Sequence, residues 1–315
     1  MTPHLTTSLK LLLETKAQFY QQIRDFFAAR QVLEVTTPIL ELEPNPSPGL
    51  EPVVSGKYFL PSSPEFAMKR LLALGSGDIF QITKAFRGGE MGRWHRVEFA
   101  ILEWYRLGFS LDKLLEELLD LLAALGFSDA VQTRRVFSYT ALFKEYLGLD
   151  PNSASLSELR LAALQHQVTT VPLLDERASW IEMLFTLIVE PHLTKGMVIV
   201  KDFPKELAML AAVATDPVNG MATAQRFELY LNGVELANAF EELTDASEQR
   251  QRFKEDITTR QKLGFIKVPM PERFLAALTN LPPCAGIAVG LERLFALKCQ
   301  ASSLVETLPI DDQNE

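Results

Sequence analysis

The chain has 315 residues, 47% of them hydrophobic and 23% charged, and no apolar run approaches the roughly eighteen residues of a membrane span. It reads as a globular protein with enough length for a sizeable core and no transmembrane helix. With 31 Lys and Arg against 40 Asp and Glu, a formal charge of −9 and no basic cluster, a large nucleic-acid footprint is disfavoured.

Two cysteines, Cys284 and Cys299, make no disulfide framework and have no His or Cys partner at metal-ligand spacing, which argues against zinc. The amino terminus has no basic stretch, and its apolar run stops at Leu13 before Glu14, so it does not read as a secretory signal and the expected location is the cytoplasm. In chain order, Leu9, Leu12, Leu13, Phe19, Ile23, Phe26 and Phe27 recur at helical spacing and predict an amphipathic helix from Ser8 to Arg30, with Thr7 or Ser8 as N-cap. VLEVTTPIL follows as a β-branched segment ending near Pro38, and prolines at 44, 46, 48 and 52 make the next stretch a long loop.

After Ser62-Ser63-Pro64-Glu65 comes a short helix, FAMKRLLALG, closed by Gly75 and Gly77. DIFQITKAFR alternates, with Phe80, Ile82, Lys84 and Phe86 on one face and Ile79, Gln81, Thr83, Ala85 and Arg87 on the other. The loop GGEMGRWHRV leads into a second strand, EFAILEWY, on which Phe99, Ile101, Glu103 and Tyr105 share a face, so the pair reads as an antiparallel hairpin. Ser110 to Gly126 is a capped, leucine-rich helix. Residues 127–224 carry helix-like patches, a buried-strand candidate at Gly196 to Val200 and no repeat. RFELYLNGVELANAF is a hairpin turning at Asn232-Gly233, and GIAVG is a last strand running directly into the helix LERLFALKC.

A two-residue turn at 232 and 233 pairs Tyr230 with Glu235, Leu229 with Leu236 and Glu228 with Ala237. Leu229, Leu231, Val234 and Leu236 then form a core face, and Glu228, Tyr230, Glu235 and Ala237 the other. That face sets two carboxylates diagonally, about 7 Å apart, a spread suited to a hard cation such as Mg²⁺ on a phosphate ligand, or equally to a solvated outer face. Arg87, at the mouth of a glycine-rich loop, is suited to gripping a phosphate or carboxylate, with Glu103 and Tyr105 facing the same space. Arg293 sits at a strand-to-helix junction and is either an anion ligand or a helix-surface charge. His4, His95, His166 and His192 have no catalytic spacing, and Cys284 reads as a buried small residue. No G-x-S-x-G, Walker loop or G-x-G-x-x-G occurs, which disfavours serine hydrolase, P-loop and Rossmann chemistry.

Taken together, VLEVTTP, Phe86-Arg87 with its loop and H-x-x-EF, and GLER resemble motifs 1, 2 and 3 of class II aminoacyl-tRNA synthetases, in order. SPE at 63–65, MKRLL at 68–72, EFAILEWYR at 98–106 and GVELANAFEELTDASEQ at 233–249 resemble the lysyl branch, and more narrowly its stand-alone paralogues that lysylate elongation factor P. The resemblance runs from about Leu9 to Leu304. It implies an α+β fold, an antiparallel sheet flanked by helices, in one catalytic domain over 1–315 with a variable insertion at about 127–224. Because the motif 1 helix begins near residue 8, no anticodon-binding domain and no anticodon reading are expected. Motif 1 helices of this class usually pair chains, which implies a homodimer.

The resemblance also implies roles. Arg87 would grip the α-phosphate of ATP and the amino-acid carboxylate, and with Arg293 would be catalytic; Phe99 and Arg293 would sandwich the adenine. Gly88, Gly89, Glu90, Arg96, Glu235, Leu236 and Gly290 would complete the ATP site, and Glu228 and Glu235 would hold Mg²⁺. Ser63, Pro64 and Glu65 would line the substrate site, Glu65 taking the substrate's α- or β-amino group, and Glu103, Tyr105 and Glu242 would take the side-chain ammonium. Glu242 has the wrong parity relative to Glu235, so its role requires a bulge or bend in that strand. Ala288, where lysyl-tRNA synthetases have Gly, would make room for (R)-β-lysine in preference to lysine.

Three positions depart from the family. The acidic residue that usually meets the adenine amino group is Gly89, the Asn expected after His95 is Arg96, and the Pro after it is Val97. Either ATP binds more weakly, because two glycines cost entropy to order, or Glu90 substitutes by a one-residue shift. Three functions stay open: an AMP- and pyrophosphate-forming ligase that transfers lysine or β-lysine to a lysine side chain of elongation factor P, a non-catalytic regulatory protein, and a tRNA-charging enzyme.

Overall fold

A computed structural model describes residues 8–215 and 220–311, so the candidate cap Thr7 and His4 lie outside the described residues. In chain order the strands are β1 (Leu33–Glu34), β2 (Val53–Ser55), β3 (Tyr58–Leu60), β4 (Ile79–Phe86), β5 (Glu98–Leu107) and β6 (Arg135–Ser138). They continue with β7 (Met197–Pro204), β8 (Val213–Thr215), β9 (Ala222–Leu231), β10 (Val234–Glu241) and β11 (Cys284–Gly290). Nine of them form one sheet in the order β1-β4-β5-β11-β10-β9-β7-β6, with β8 paired to β9, while β2 and β3 make a separate hairpin. Pairing is antiparallel except at the two sheet ends, where β1 joins β4 and β6 joins β7 in parallel.

Strand alternation assigns the two sheet faces. Phe80, Leu102, Trp104, Phe227, Leu229 and Ile287 point to one side and bury against the helices Leu9–Ala28, Leu111–Leu122 and Leu291–Lys298 through Phe19, Ile23, Phe27, Leu114, Leu118, Leu294 and Phe295. Ser8 caps the first of these helices by accepting from the Leu11 N–H, and Ser110 caps the second by accepting from the Lys113 N–H. On the opposite face two further clusters form. Phe66, Leu72, Ile79 and Tyr105 pack with Phe253 and Phe274 beneath the helices Glu65–Ala73, Ala246–Lys262 and Glu272–Leu278. At the far end Val198 and Val200 of β7 pack with Tyr139, Phe143, Trp180, Ile181 and Leu184, so the segment expected as an insertion contributes its own apolar core. Between these clusters, the same face of β5, β10 and β9 carries polar side chains, and β11 presents only small residues there, Gly286 and Ala288.

Several expectations need correction. VLEVTTPIL supplies only the two-residue β1, which pairs with β4 at Ile79 and Phe80 before Pro38 removes a ladder donor. The hairpin β2–β3 went unpredicted because its strands are three residues each; it turns at Gly56-Lys57, where Gly56 takes φ +62°. The leucine-rich helix ends as α-helix at Leu122 and closes with a wider turn over Ala123–Phe127, in which Gly126 takes φ +97°.

The most consequential correction is in the β9–β10 hairpin. Leu231 faces Val234 and Tyr230 faces Glu235 as expected, but a bulge between Glu235 and Ala237 then pairs Ala237 with Leu229 and Asn238 with Glu228. Leu236 and Ala237 both enter the core, and Ala237 is not on the carboxylate face. One extra residue reverses the parity of everything beyond it. Asn238 and Phe240 therefore join Glu235 on the polar face, and Glu242 continues the row, as its expected role required.

Candidate active site

The amino-acid end of the polar face is built on β5 and the start of the helix Glu65–Ala73. Glu103 and Tyr105 pair across to Ala288 and Gly286 of β11, so these four positions form two adjacent rows. Ser63 donates to Glu103 Oε2 at 2.5 Å while accepting from the Glu65 N–H at 3.1 Å, and Tyr105 donates to Glu103 Oε1 at 2.6 Å. Glu242 lies behind them, and Gly286 leaves room for it: a Cβ there would overlap Tyr105 Cε1 and Glu242 Oε1 and come within 2.6 Å of Tyr105 Cδ1. Pro64, itself buried, occupies the helix N-cap position and fixes the turn that presents Glu65.

A residue that sequence reasoning passed over sits at the floor. Lys69, 1% exposed, places its ammonium 2.6 Å from Glu65 Oε1 and against Glu242 Oε2. Burial works against that charge, but Glu242 and Glu65 outweigh it and hold the Lys69 pKa above the ordinary lysine range. Burial pushes Glu242 up to about 8, opposed by Lys69 and reinforced by Glu65. Burial likewise pushes Glu103 up to about 7, with Glu65 adding repulsion and the Ser63 and Tyr105 hydrogen bonds opposing it. The Glu65–Lys69 spacing of four within a helix was the readable signal.

At the other end of the face, the β4–β5 loop and the hairpin bring the remaining charges together. Arg87 stacks over Phe99, its guanidinium carbon 5.2 Å from the ring centre, with Nε 3.4 Å from Ser62 O and Nη1 3.8 Å from Glu90. Arg293, reaching back from the helix after Gly290, donates to Trp94 O and Glu235 O, each at 2.9 Å, and lies 3.7 Å from the Glu235 carboxylate. His95 lies within this group. Burial and then Arg293 lower its pKa, Glu90 and Glu235 oppose, and Arg87 adds to the lowering. Arg87, Glu235 and Arg293 thus converge, and Glu228 interacts electrostatically with Glu235.

Glu228 is 8% exposed, which removes the reading of a solvated outer face. Arg226 engages its Oε1 and Tyr230 donates to Oε2 at 2.6 Å, and Arg226 also donates to Asn238 Oδ1 at 3.1 Å and Leu207 O at 3.0 Å. Burial pushes Glu228 up to about 7 despite Arg226, with Glu235 adding repulsion. The alternating R-x-E-x-Y of β9 was the sequence signal for this network. No group of three His, Cys, Asp or Glu able to hold a metal occurs among the described residues. A carboxylate has about four lone-pair sites, so Glu228 keeps acceptor capacity on both oxygens beside Glu235. That pair suits a cation that takes most of its ligands from phosphate and water.

Two predicted ATP residues stand elsewhere. The Arg96 guanidinium is buried and committed to Asp311 at 2.8 Å and to Gly92 O and His95 O at 2.7 Å each, so it ties the loop to the C-terminal segment. Leu236 points its side chain into the core at the bulge, leaving only its main chain toward the site. Cys284 is buried and free, and burial pushes its thiol up to about 12, which fits a packing residue. No helix among the described residues is long and apolar enough to cross a membrane.

The sequence model of the family described as tRNA synthetases class II (D, K and N) matches residues 4–310. The protein named elongation factor P--(R)-beta-lysine ligase of Hamiltonella defensa subsp. Acyrthosiphon pisum (strain 5AT) is 38% identical over 306 residues, covering 93% of this chain and 92% of that protein. The proteins of the same name from Proteus mirabilis (strain HI4320), at 40% identity over 90% of this chain and 89% of the relative, and from Pseudoalteromonas translucida (strain TAC 125), at 39% over 95% and 94%, are similar along nearly their whole length. The chain belongs to the class II tRNA synthetase family of the D, K and N type, and it groups there with proteins named elongation factor P--(R)-beta-lysine ligase.

Proposed function

We propose that the protein is an ATP-dependent ligase that activates lysine or (R)-β-lysine as an aminoacyl-adenylate and transfers the acyl group to a lysine ε-amine of elongation factor P. The observation that carries this reading is the joining of two chemistries on one sheet face. Glu65, Glu103 and Glu242 surround a closed floor at one end, and Arg87, Arg293, Glu228 and Glu235 gather at the other. Three carboxylates less the Lys69 ammonium suit a substrate with two ammonium groups, since a buried cation needs paired charge. Arg87 lies between, suited to the substrate carboxylate and the phosphate it attacks; its work is positioning and charge stabilisation.

In the activation step a carboxylate oxygen of the amino acid attacks the α-phosphorus of ATP, the bond to the β-phosphate oxygen breaks, and pyrophosphate leaves. In the second step the ε-amine of the acceptor protein attacks the acyl carbon and AMP departs. Phe99 and Arg293 would hold the adenine, while Glu228 and Glu235 would hold Mg²⁺, which would supply charge neutralisation to the phosphates when bound. Ala288 stands between Glu103 and Asn238 in the pairing register, where its methyl would reshape the pocket beside the amino-group ligands in favour of (R)-β-lysine. The motif 1 helix exposes Leu9 and Leu13, one turn apart, at 57% and 46%, a face that a second copy of the chain would cover; sedimentation analysis of a Leu13→Glu variant reads this directly.

Incubation with ATP, Mg²⁺, (R)-β-lysine and elongation factor P should add one aminoacyl mass to the factor. Amino-acid-dependent ATP–pyrophosphate exchange without that added mass would redirect the reading to tRNA charging, and neither signal would leave a regulatory protein.

A further inference from the structure

The loop that leaves β4 carries two consecutive glycines, Gly88 and Gly89, but the space their side chains would occupy is not open. A Cβ on Gly88 would lie 2.9 Å from Glu51 Cγ and 3.1 Å from Glu51 O, and one on Gly89, whose φ is +73°, would lie 2.9 Å from Glu51 Oε2. The main chain agrees, because the Gly88 N–H donates to Glu51 O at 2.8 Å in an isolated antiparallel bridge. Glu51 is also anchored from behind. Arg260, 2% exposed, donates to Ser47 O at 3.0 Å and Leu50 O at 2.9 Å, which clamps the proline-rich loop onto the helix Ala246–Lys262. The Glu51 carboxylate is exposed, and among the described residues none donates a hydrogen bond to it. Glu90, its neighbour across the loop, is turned instead toward Arg87 at 3.8 Å.

We propose that Glu51 supplies the hydrogen-bond acceptor that reads the exocyclic amino group of the nucleotide base, from the space that side chains at 88 and 89 leave vacant. This rests on the ATP-dependent reading above. A carboxylate placed beside the phosphates would repel them, whereas one beside an amino-bearing base edge gains a charge-assisted bond. The same carboxylate opposes a base that presents a carbonyl oxygen at that position, because two acceptors then face each other. Gly88 and Gly89 are the steric condition for the arrangement: any side chain at either position would displace Glu51.

The test is calorimetric titration of the full chain, with Mg²⁺, using ATP and inosine triphosphate, which differ at C6 of the base, an amino group in one and a carbonyl in the other, and in the proton that N1 then carries. The wild type should bind ATP roughly tenfold or more tighter than the inosine analogue. Glu51→Ala should lose about that factor for ATP and little for the analogue, and Glu51→Gln, whose amide can also donate, should move the ratio toward the analogue. Both variants keep the Glu51 carbonyl and change an exposed side chain, so a melting curve matching wild type is expected. Unchanged ATP affinity in Glu51→Ala, or equal affinity of the wild type for both nucleotides, overturns the inference and leaves the proposed function standing. No binding of either nucleotide by the wild type overturns both.

Discussion

Gly286→Ala tests the amino-acid end of the site with one methyl group. The added carbon would overlap the Tyr105 ring edge and Glu242 Oε1, and neither neighbour can yield cheaply. Tyr105 is 2% exposed and bonded to Glu103, while Glu242 is held by Lys69. Overpacking of this kind costs about 1–3 kcal/mol of stability, and the displaced groups are the proposed ligands of the side-chain ammonium. Loss of one hydrogen bond to a charged group is worth roughly 1.5–3 kcal/mol, or about tenfold and upward in affinity. Amino-acid-dependent pyrophosphate exchange should therefore show KM for lysine or β-lysine raised at least about tenfold with KM for ATP nearly unchanged, alongside a lowered Tm. Ala288, two residues further along the same strand, serves as an internal comparison because its methyl is already accommodated. Wild-type amino-acid KM and Tm in Gly286→Ala would refute the argument.

Arg87→Ala should lose roughly 3 kcal/mol or more of transition-state stabilisation, read as a drop in kcat/KM for pyrophosphate exchange with the fold intact by circular dichroism; near-wild-type exchange sinks the assignment. Lys69→Met leaves Glu242 buried without its partner and should cost about 3–5 kcal/mol by denaturant titration, whereas a loss under 1 kcal/mol would mean the pair is dispensable. The pH dependence has a definite sign. Glu103 and Glu242, at about 7 and about 8 against an unfolded value near 4.5, bind more protons folded than unfolded, so their contribution to stability falls as pH rises from about 4.5 to 8. A diammonium ligand favours their ionised forms, so the Tm increase given by lysine should be larger at pH 8 than at pH 6; an equal or smaller increase at pH 8 contradicts the pocket assignment.

Much of this protein is written in local sequence. The period-two runs at 79–86 and 98–105, the Asn-Gly turn and the GIAVG strand identify the central hairpins because side-chain parity and turn chemistry act over a few residues. Motif order then carried the family and the candidate charges Arg87, Glu228, Glu235 and Arg293. What local pattern does not encode is how elements distant in the chain fill each other's space. The bulge at Leu236 sets which residues beyond it face the site, and only pairing with β9 and β11 fixes it. Lys69 becomes a pocket cation because a helix packs one turn of its face onto Glu242, 173 residues further along the chain. Arg96 was assigned to the nucleotide yet closes on Asp311, since a buried guanidinium takes whichever carboxylate the tertiary fold delivers. Sequence alone determined the central strands, the Asn-Gly turn and the kinds of chemistry available; the tertiary structure decided the short edge strands and which charges meet, because burial and pairing energies depend on neighbours that chain order does not list.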